Sequence, residues 1–258
     1  MSNFGTLILA IDTTSRSGSV AVAREGRVVA EFGLETAAQQ SAVLWSDVDL
    51  MLGRLGATID DVTAFAVARG PGAFTGLRVG IAAAAGLARA TGRPLYGATS
   101  LELTARQAGA AGRVWAVLNA YRNEVYAQPF EVRADGTAEP LEEPFVAAPV
   151  DVFARFDEGP LRVAGSGADV YIEILRAAAE SRGVALERPR VAAAVERGWQ
   201  AARIPAFLAA GLAELASIWV EEGRPAGAVE PCYVRPSEAE INLKSGRLIP
   251  VGETRGVR

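Results

Sequence analysis

The alternation of apolar and polar positions divides the first part of the chain into strands and helices. An unbroken apolar run at residues 6–12 predicts a buried strand, because such a run leaves neither face for solvent. Further strands are predicted at residues 19–23, 27–33, 64–68 and 94–98. Apolar residues at helical spacing and turn signals predict helices at residues 41–55, 76–90 and 100–111, with Gly92 at the end of the second helix and Ser100 as the N-cap of the third.

The resulting order, βββαβαβα, predicts a ribonuclease-H-like α/β lobe, and the second half loosely repeats its opening. Strands are predicted at residues 113–118, 124–132, 144–147 and 161–164, and helices near 150–156, 170–181 and 205–222. We expect the last helix to complete a second lobe. The alternative, two unrelated hairpins in one α/β protein, fits this weak repeat equally well.

These elements predict three parts of the chain. The parts are a lobe at residues 1–110, a trimmed second lobe at 111–235 and a tail at 236–258. The tail is polar and rich in glycine, so we expect it to be exposed and partly disordered.

The composition argues against a protein that binds nucleic acid alone or spans a membrane. The chain has 258 residues, half of them hydrophobic, and a formal net charge of −4 without any block of Lys or Arg. Such a charge gives no electrostatic reason to bind a polyanion unaided. The most apolar segment, residues 79–90, is too short to cross a bilayer, and the N-terminus lacks signal-peptide features. With a single cysteine, Cys232, we expect a cytoplasmic protein.

The lack of histidine restricts the chemistry. A chain with no His and one Cys cannot form histidine–cysteine metal sites, Ser-His-Asp triads or Cys-His pairs. Carboxylate chemistry remains open. We predict no cofactor and no metal, and no lysine or histidine near Cys232 in sequence would activate its thiol.

The most distinctive segment, GPGAFTGLRVG, runs from Gly70 to Gly80. Pro71 fixes φ, whereas Gly70 and Gly72 allow backbone angles closed to other residues, so the chain can turn sharply from strand into helix. Thr75 is the expected N-cap. The loop lacks the Gly-Lys-Ser/Thr ending of a P-loop and the spacing of a dinucleotide site, which disfavours phosphate binding.

Small residues recur every four positions along the helix that follows, at Gly76, Gly80, Ala84 and Ala88. A glycine within a helix costs roughly 1 kcal/mol relative to alanine, so the two glycines require an offsetting contact. The bare stripe allows close approach either of this protein's own sheet and first helix or of a helix from another protein. The residues themselves do not decide between these two contacts.

An alternative interpretation is a nucleotide-binding site at Asp12, Thr13 and Thr14. In actin-like ATPases an acidic residue at this strand end helps to position magnesium, and the adjoining turn cradles phosphate. In the other interpretation the carboxylate only caps its turn. The second lobe has an amide, Asn119, at the equivalent strand end, so a second carboxylate is missing there. The competing function is therefore an actin-like ATPase or phosphotransferase using Asp12 and magnesium. Without that activity, these three residues are a vestigial nucleotide-binding site.

Two further segments are candidates for contacts. Tyr121, Arg122, Glu124 and Tyr126 surround the second hairpin turn, either as a contact surface or as solvated turn residues. Residues Pro231–Arg235 follow the last helix, and we expect them to tie the C-terminal segment back onto the body.

Five segments carry a resemblance to a known family. They are Ile8–Thr14, Gly70–Arg78, Gly86–Ala88, Arg122–Tyr126 and Pro231–Arg235. With these segments the chain resembles the TsaB (YeaZ) family, a partner subunit in threonylcarbamoyl-adenosine modification of tRNA. Two positions depart from the family pattern: Gln40–Ser41 stands where His-Ser is frequent, and Asn119–Ala120–Tyr121 where Asp-Ala-Arg is common.

The resemblance implies an actin/Hsp70-like fold of two ribonuclease-H-like lobes, with mixed sheets flanked by helices. It also implies a non-catalytic subunit that binds a homologous catalytic subunit, TsaD, as a heterodimer. The ATPase TsaE joins that assembly, and tRNA is bound only through the complex. The catalytic relative holds its metal with histidines, and this chain has none.

In that family the helix after the Gly-Pro-Gly loop packs against its counterpart on TsaD, which favours the intermolecular interpretation of the bare stripe. The implied partner-binding residues are Gly70, Pro71, Gly72, Phe74, Thr75, Gly76, Arg78, Gly80 and Ala84. An isolated subunit is expected to be able to form a homodimer through the same stripe.

Overall fold

A computed structural model describes residues 5–35, 40–109, 111–189 and 195–235, with the side chains of 40–42 excluded. The tail predicted from residue 236 lies outside these ranges.

The first sheet has five strands in the order β3-β2-β1-β4-β5. They are β1 (Leu7–Asp12), β2 (Ser17–Arg24), β3 (Arg27–Glu35), β4 (Ala64–Ala68) and β5 (Leu95–Ala98). Neighbours among β1, β2 and β3 pair antiparallel, whereas β4 is parallel to both β1 and β5. Every residue of β1 and β4 is buried, because helices cover both faces of the sheet. This is the ribonuclease-H-like order that the sequence predicted.

The second sheet repeats the first with additional strands at its edges. Its strands are β6 (Gly112–Asn119), β7 (Val125–Val132), β8 (Ala138–Pro140), β9 (Phe145–Ala147), β10 (Leu161–Ala164), β11 (Leu186–Glu187) and β12 (Trp199–Ala202). The order is β11-β12-β10-β6-β7-β8, with β9 paired to β7. The central part, β7-β6-β10-β12, matches β2-β1-β4-β5 in both order and direction. The predicted repeat is therefore confirmed, whereas β8, β11 and β12 were not predicted.

Six of the seven α-helices in the described residues lie within a few residues of a predicted helix, whereas the short helix at residues 166–170 was not predicted. The helices are α1 (Gln40–Arg54), α2 (Phe74–Thr91), α3 (Ser100–Gln107), α4 (Pro149–Phe153), α5 (Ser166–Val170), α6 (Ile172–Glu180) and α7 (Ala209–Glu221). Helices α1 and α2 cover one face of the first sheet, and α4, α5 and α6 cover one face of the second. Within the described residues, none of the helices has the length and hydrophobicity of a membrane span.

Two helices pack on the sheet of the opposite half. Leu101 and Ala105 of α3 join the core beneath β6 and β7. Leu212 and Trp219 of α7 fill the remaining face of the first sheet, where the ring centroids of Trp219 and Tyr96 lie 5.9 Å apart. The expectation that this last helix completes the second lobe is therefore wrong, because its apolar side covers the first sheet. The domain limits at residues 110 and 235 remain a prediction.

Two helix starts differ by one or two residues from the sequence prediction. Ala73 is the N-cap of α2, without a side-chain hydrogen bond, so the expected N-cap Thr75 lies inside the first turn. Thr99 rather than Ser100 caps α3, because its hydroxyl accepts the backbone N–H three residues on at 3.0 Å. Gly92, with φ of 67°, ends α2 as predicted.

Candidate functional site

A hydrogen-bonded turn inside the protein closes the strand end at Asp12. Asp12 is 0% exposed, and its Oδ1 accepts hydrogen bonds from Thr14 N at 2.9 Å and from Thr14 Oγ1 at 2.7 Å. The Thr14 hydroxyl in turn accepts from Ser100 Oγ at 3.1 Å, which links the turn to α3. The turn-capping interpretation of Asp12 agrees with this geometry.

Burial also changes the protonation of this carboxyl group. It raises the pKa of Asp12 above its ordinary value, against the opposing effect of the two Thr14 hydrogen bonds. The folded protein therefore keeps a proton on Asp12 at pH values where the unfolded chain has lost it. Above the unfolded pKa of about 4, the free energy of unfolding falls as the pH rises through this window, because the folded state binds more protons.

Little space remains beside the Asp12 carboxylate. Its Oδ2 atom has no hydrogen-bond partner among the described residues. The adjoining cavity, shared with Thr13, Ser19 and Asp47, measures about 20 Å³, which holds about one water molecule. The described part of the chain contains no group of three His, Cys, Asp or Glu side chains that could hold a metal ion. The residues present do not fit a magnesium-bound nucleotide at this position.

The second lobe closes its equivalent strand end with an amide. Asn119 Oδ1 accepts a hydrogen bond from Tyr121 N at 3.0 Å, the same contact that closes the first turn. Tyr121, Arg122 and Asn123 then have positive φ angles of 57°, 54° and 59°. Left-handed backbone costs a non-glycine residue about 1–2 kcal/mol. Other contacts therefore stabilise the turn in this conformation. One of them is the hydrogen bond that Glu124 N donates to Tyr121 O at 2.9 Å.

The small-residue stripe of α2 packs inside the protein, with its first two glycines against the turn after β1. A Cβ atom at Gly76 would lie 2.0 Å from the Thr13 carbonyl oxygen, and one at Gly80 would lie 2.3 Å from Thr13 Oγ1. That hydroxyl donates a hydrogen bond to Gly76 O at 2.7 Å. Ala84 and Ala88 are buried in the same core. The expectation that Gly76, Gly80 and Ala84 form a groove open to another helix is therefore wrong.

The Gly-Pro-Gly loop is also directed inward. Gly70 has a φ of 92°, as expected for a residue that must be glycine, and its carbonyl accepts from Ser100 N at 2.8 Å. Gly72 is required for space, since a Cβ there would lie 2.2 Å from the Thr14 carbonyl oxygen. Gly70 and Pro71 are buried. These residues set the start of α2 and offer a partner little surface.

The opposite sides of α1 and α2 face solvent. On α1 the exposed residues include Trp45, Asp49 and Leu50, and on α2 they are Phe74, Thr75, Arg78, Ala82, Ala85, Gly86, Arg89 and Ala90. We call these residues the outer face. Trp45 is 50% and Leu50 43% exposed, and a Cβ at Gly86 would meet no atom within 4 Å. Of the predicted partner-binding residues, only Phe74, Thr75 and Arg78 belong to the outer face.

The segment after α7 binds along the start of α2. Cys232 N donates to Arg69 O at 2.7 Å, directly before the Gly-Pro-Gly loop. Tyr233 stacks on Phe74 with ring centroids 5.2 Å apart, and its hydroxyl accepts from Arg78 Nε at 3.2 Å. Burial raises the pKa of the Cys232 thiol, which agrees with the prediction that it is not activated.

The same segment also reaches the second lobe. Arg235 donates to Ala120 O at 3.2 Å, forms an ion pair with Glu124 and lies over the Tyr126 ring. The segment Pro231–Arg235 therefore joins the start of α2 to the turn of the second lobe, and its predicted structural role is confirmed.

Comparisons with known proteins agree with this fold. A family model described as "TsaD: tRNA N6-adenosine threonylcarbamoyltransferase" matches residues 34–166, about half of the chain. Two proteins named "tRNA threonylcarbamoyladenosine biosynthesis protein TsaB" also match, with 35% identity over 154 residues in Escherichia coli and 32% over 120 residues in Bacillus subtilis. The structure of YeaZ from Pseudomonas aeruginosa matches with a TM-score of 0.70 and 27% identity, over 88% of this chain and 99% of that one. The chain belongs to the TsaB/YeaZ family.

The sequence matches within the TsaB/YeaZ family are partial. They cover 58% and 46% of this chain, and they span 66% and 52% of the E. coli and B. subtilis proteins, respectively. The structural match to YeaZ extends the likeness over both lobes. The family resemblance drawn from five short segments is thus confirmed.

The sequence analysis missed most of the outer face. Trp45, Leu50, Ala82 and Gly86 were not singled out as contact residues. A signal was present, because Trp45 and Leu50 are large apolar residues outside the inward-facing positions of α1. The stripe of small residues drew attention to the side of α2 that packs inside the protein.

Proposed function

We propose that this TsaB/YeaZ protein is a non-catalytic subunit that binds a TsaD-like catalytic subunit in the threonylcarbamoylation of adenosine in tRNA. The observation that carries the proposal is the outer face of α1 and α2. Trp45 and Leu50 are about half exposed there, beside the small residues Ala82, Ala85 and Gly86. Exposed apolar surface of this kind commonly marks a protein–protein interface.

The outer face favours a helix as its partner. Ala82, Ala85 and Gly86 lie one turn apart on the exposed side of α2, and none carries a long side chain. Two packed helices can approach each other more closely when the side chains at their contact are small. A catalytic subunit of related fold would present equivalent helices, so that two similar surfaces meet about an approximate twofold axis. The same surface gives an isolated subunit a route to a homodimer.

The non-catalytic role is supported by the chemistry of the chain. The sequence contains no histidine. Asp12, the carboxylate of the competing ATPase function, is held inside its own turn with space for about one water molecule beside it. The net charge of −4 supports tRNA binding through the complex rather than by this subunit alone. A TsaE-like ATPase then supplies nucleotide hydrolysis to the assembly, which we expect in the cytoplasm.

Titration calorimetry with a purified TsaD-like subunit tests this proposal. Gly86→Arg and Leu50→Asp place a charge on the outer face, and each is expected to weaken binding about tenfold or more. Val150→Asp changes a similarly exposed apolar residue on the second lobe and is the matched control. Wild-type affinity in both outer-face variants, with unchanged circular dichroism, would overturn the proposal.

Titration calorimetry with magnesium-ATP distinguishes the proposed function from the competing ATPase or phosphotransferase function. Tight binding of magnesium-ATP to the isolated chain, abolished in Asp12→Ala, would support an ATPase or phosphotransferase instead. We expect no such binding.

A further inference from the structure

A cavity of about 370 Å³ lies on the first lobe and shares no residue with the outer face. It is bounded by the edge strand β5, by the C-terminal end of α7 and by the glycine- and alanine-rich segment at residues 225–230. Sites for small molecules typically measure about 300–1,000 Å³. The cavity is therefore large enough for a metabolite-sized ligand.

Two guanidinium groups line this cavity, and neither has an ion-pair partner in the part of the chain that the structure describes. Among the described residues, neither Arg69 nor Arg224 lies within ion-pair distance of a carboxylate. Arg69 donates one long hydrogen bond of 3.5 Å to Glu230 O, and the Arg224 guanidinium lies 4.3 Å from the centroid of the Trp219 ring. A guanidinium carries five N–H donors. Most of this donor capacity remains for a ligand.

The charge around the cavity is positive on balance. Burial raises the pKa of Glu102, and the nearby cations Arg106, Arg224 and Arg69 act against that rise. The carboxylate that lines the cavity itself belongs to Glu230, which is exposed to solvent. Two guanidinium groups, Arg69 and Arg224, thus line the cavity together with one solvent-exposed carboxylate. An anion entering the cavity meets a favourable field.

The remaining walls are apolar side chains and open backbone. Trp219 and Tyr96 are 6% and 8% exposed, so only their edges reach the cavity. The Tyr96 hydroxyl donates to Arg224 O at 3.2 Å, which fixes the chain where it leaves α7. Gly227 and Ala228 contribute no side chain beyond a methyl group. Apolar walls with a few polar groups are typical of sites that bind small molecules.

We propose that this cavity binds the phosphate monoester of a small molecule, with the phosphate contacting Arg69 and Arg224. A phosphate dianion can use two guanidinium groups, whereas one bidentate arginine satisfies a carboxylate. A bare phosphate ion would leave most of the volume empty, so the rest of the ligand lies along Trp219 and the backbone of residues 225–228. This site goes beyond the proposed function and does not depend on it.

An NMR titration of the full chain tests the proposal. The four tryptophans give four indole N–H signals, and Trp219→Phe identifies the one from Trp219. The probes are ribose 5-phosphate, adenosine monophosphate, inorganic phosphate and succinate. We expect the Trp219 signal to shift and saturate with at least one phosphate ester, at concentrations about tenfold below those needed for phosphate or succinate. The proposal is overturned if neither ester moves the signal, or if phosphate or succinate binds as tightly.

Two variants locate the binding site. Arg69→Gln removes one guanidinium, and Ala228→Asp adds a carboxylate at an exposed position without removing any packing. Each is expected to weaken binding of the better ester about tenfold or more. Arg54→Gln, an exposed arginine at the end of α1, is the control and should bind as the wild type does. Unweakened binding in Ala228→Asp, the variant whose fold is least at risk, would overturn the assignment.

Discussion

Alanine substitutions at two glycines of α2 should change stability in opposite directions. Gly76 faces the turn after β1, whereas Gly86 lies on the outer face, where an added Cβ atom would have no neighbour within 4 Å. Alanine is favoured over glycine in a helix by roughly 1 kcal/mol at either position. The difference between the two variants therefore isolates the contact with the turn.

The distance between the added Cβ atom and the turn indicates how unfavourable that contact would be. A Cβ at Gly76 would lie 2.0 Å from the carbonyl oxygen of Thr13, a backbone atom that no side-chain rotation can move. Overpacking of this kind typically costs about 1–3 kcal/mol and sometimes more. We expect Gly76→Ala to lose up to about 2 kcal/mol after the helix gain, and Gly86→Ala to gain up to about 1 kcal/mol.

Urea unfolding monitored by circular dichroism measures both free energies of unfolding. The variants should differ in midpoint with similar slopes, because the surface exposed on unfolding hardly changes. Equal stabilisation of Gly76→Ala and Gly86→Ala would refute the reasoning, because it would mean that the inner side of α2 has room for a side chain. In that case the stripe would again be open to another helix.

Three other substitutions and one control test the turns and caps around the site. Asp12→Asn keeps the acceptor that closes the turn and removes the buried carboxyl group. It should raise the free energy of unfolding at pH 7 by an amount that disappears near pH 4, as urea titrations at several pH values would show. A gain that persists unchanged below pH 4 would contradict the raised pKa of Asp12. Arg235→Gln should lose about 1–2 kcal/mol, because it leaves Glu124 and a backbone carbonyl of the second turn without their donor. Arg133→Gln, in a more exposed ion pair, should change stability by about 0.5 kcal/mol or less in the same assay, and equal losses in the two arginine variants would speak against the bridging role. Thr99→Ala should cost about 1 kcal/mol in thermal or urea unfolding, and no loss would mean that the cap contributes nothing.

The fold could be predicted from the sequence because its strands have a simple pattern. The apolar runs at residues 6–12 and 64–68 became β1 and β4, in which every residue is buried. Their order along the chain was enough for the ribonuclease-H-like arrangement. The pattern of α7 indicated an apolar side but could not say which sheet it covers, because two sheets with open faces compete for it.

The proposed binding surface was less accessible to sequence reasoning. Spacing showed that Gly76 and Gly80 need a close neighbour, but that neighbour, Thr13, lies 63 residues from Gly76 in sequence. Periodicity alone cannot distinguish such a long-range internal contact from a partner helix. The outer face consists of ordinary exposed residues such as Ala82 and Leu50. They form one surface only because α1 and α2 lie side by side in the fold.

Hydrogen–deuterium exchange of this chain, alone and with a TsaD-like subunit, tests the central claim most directly. Peptides from residues 43–54 and 74–91, which include the outer face, should exchange more slowly in the complex. Peptides from the second sheet should keep their rates. Protection confined to the second lobe, or to the hairpin turn at residues 121–124, would place the partner elsewhere and contradict docking through α1 and α2.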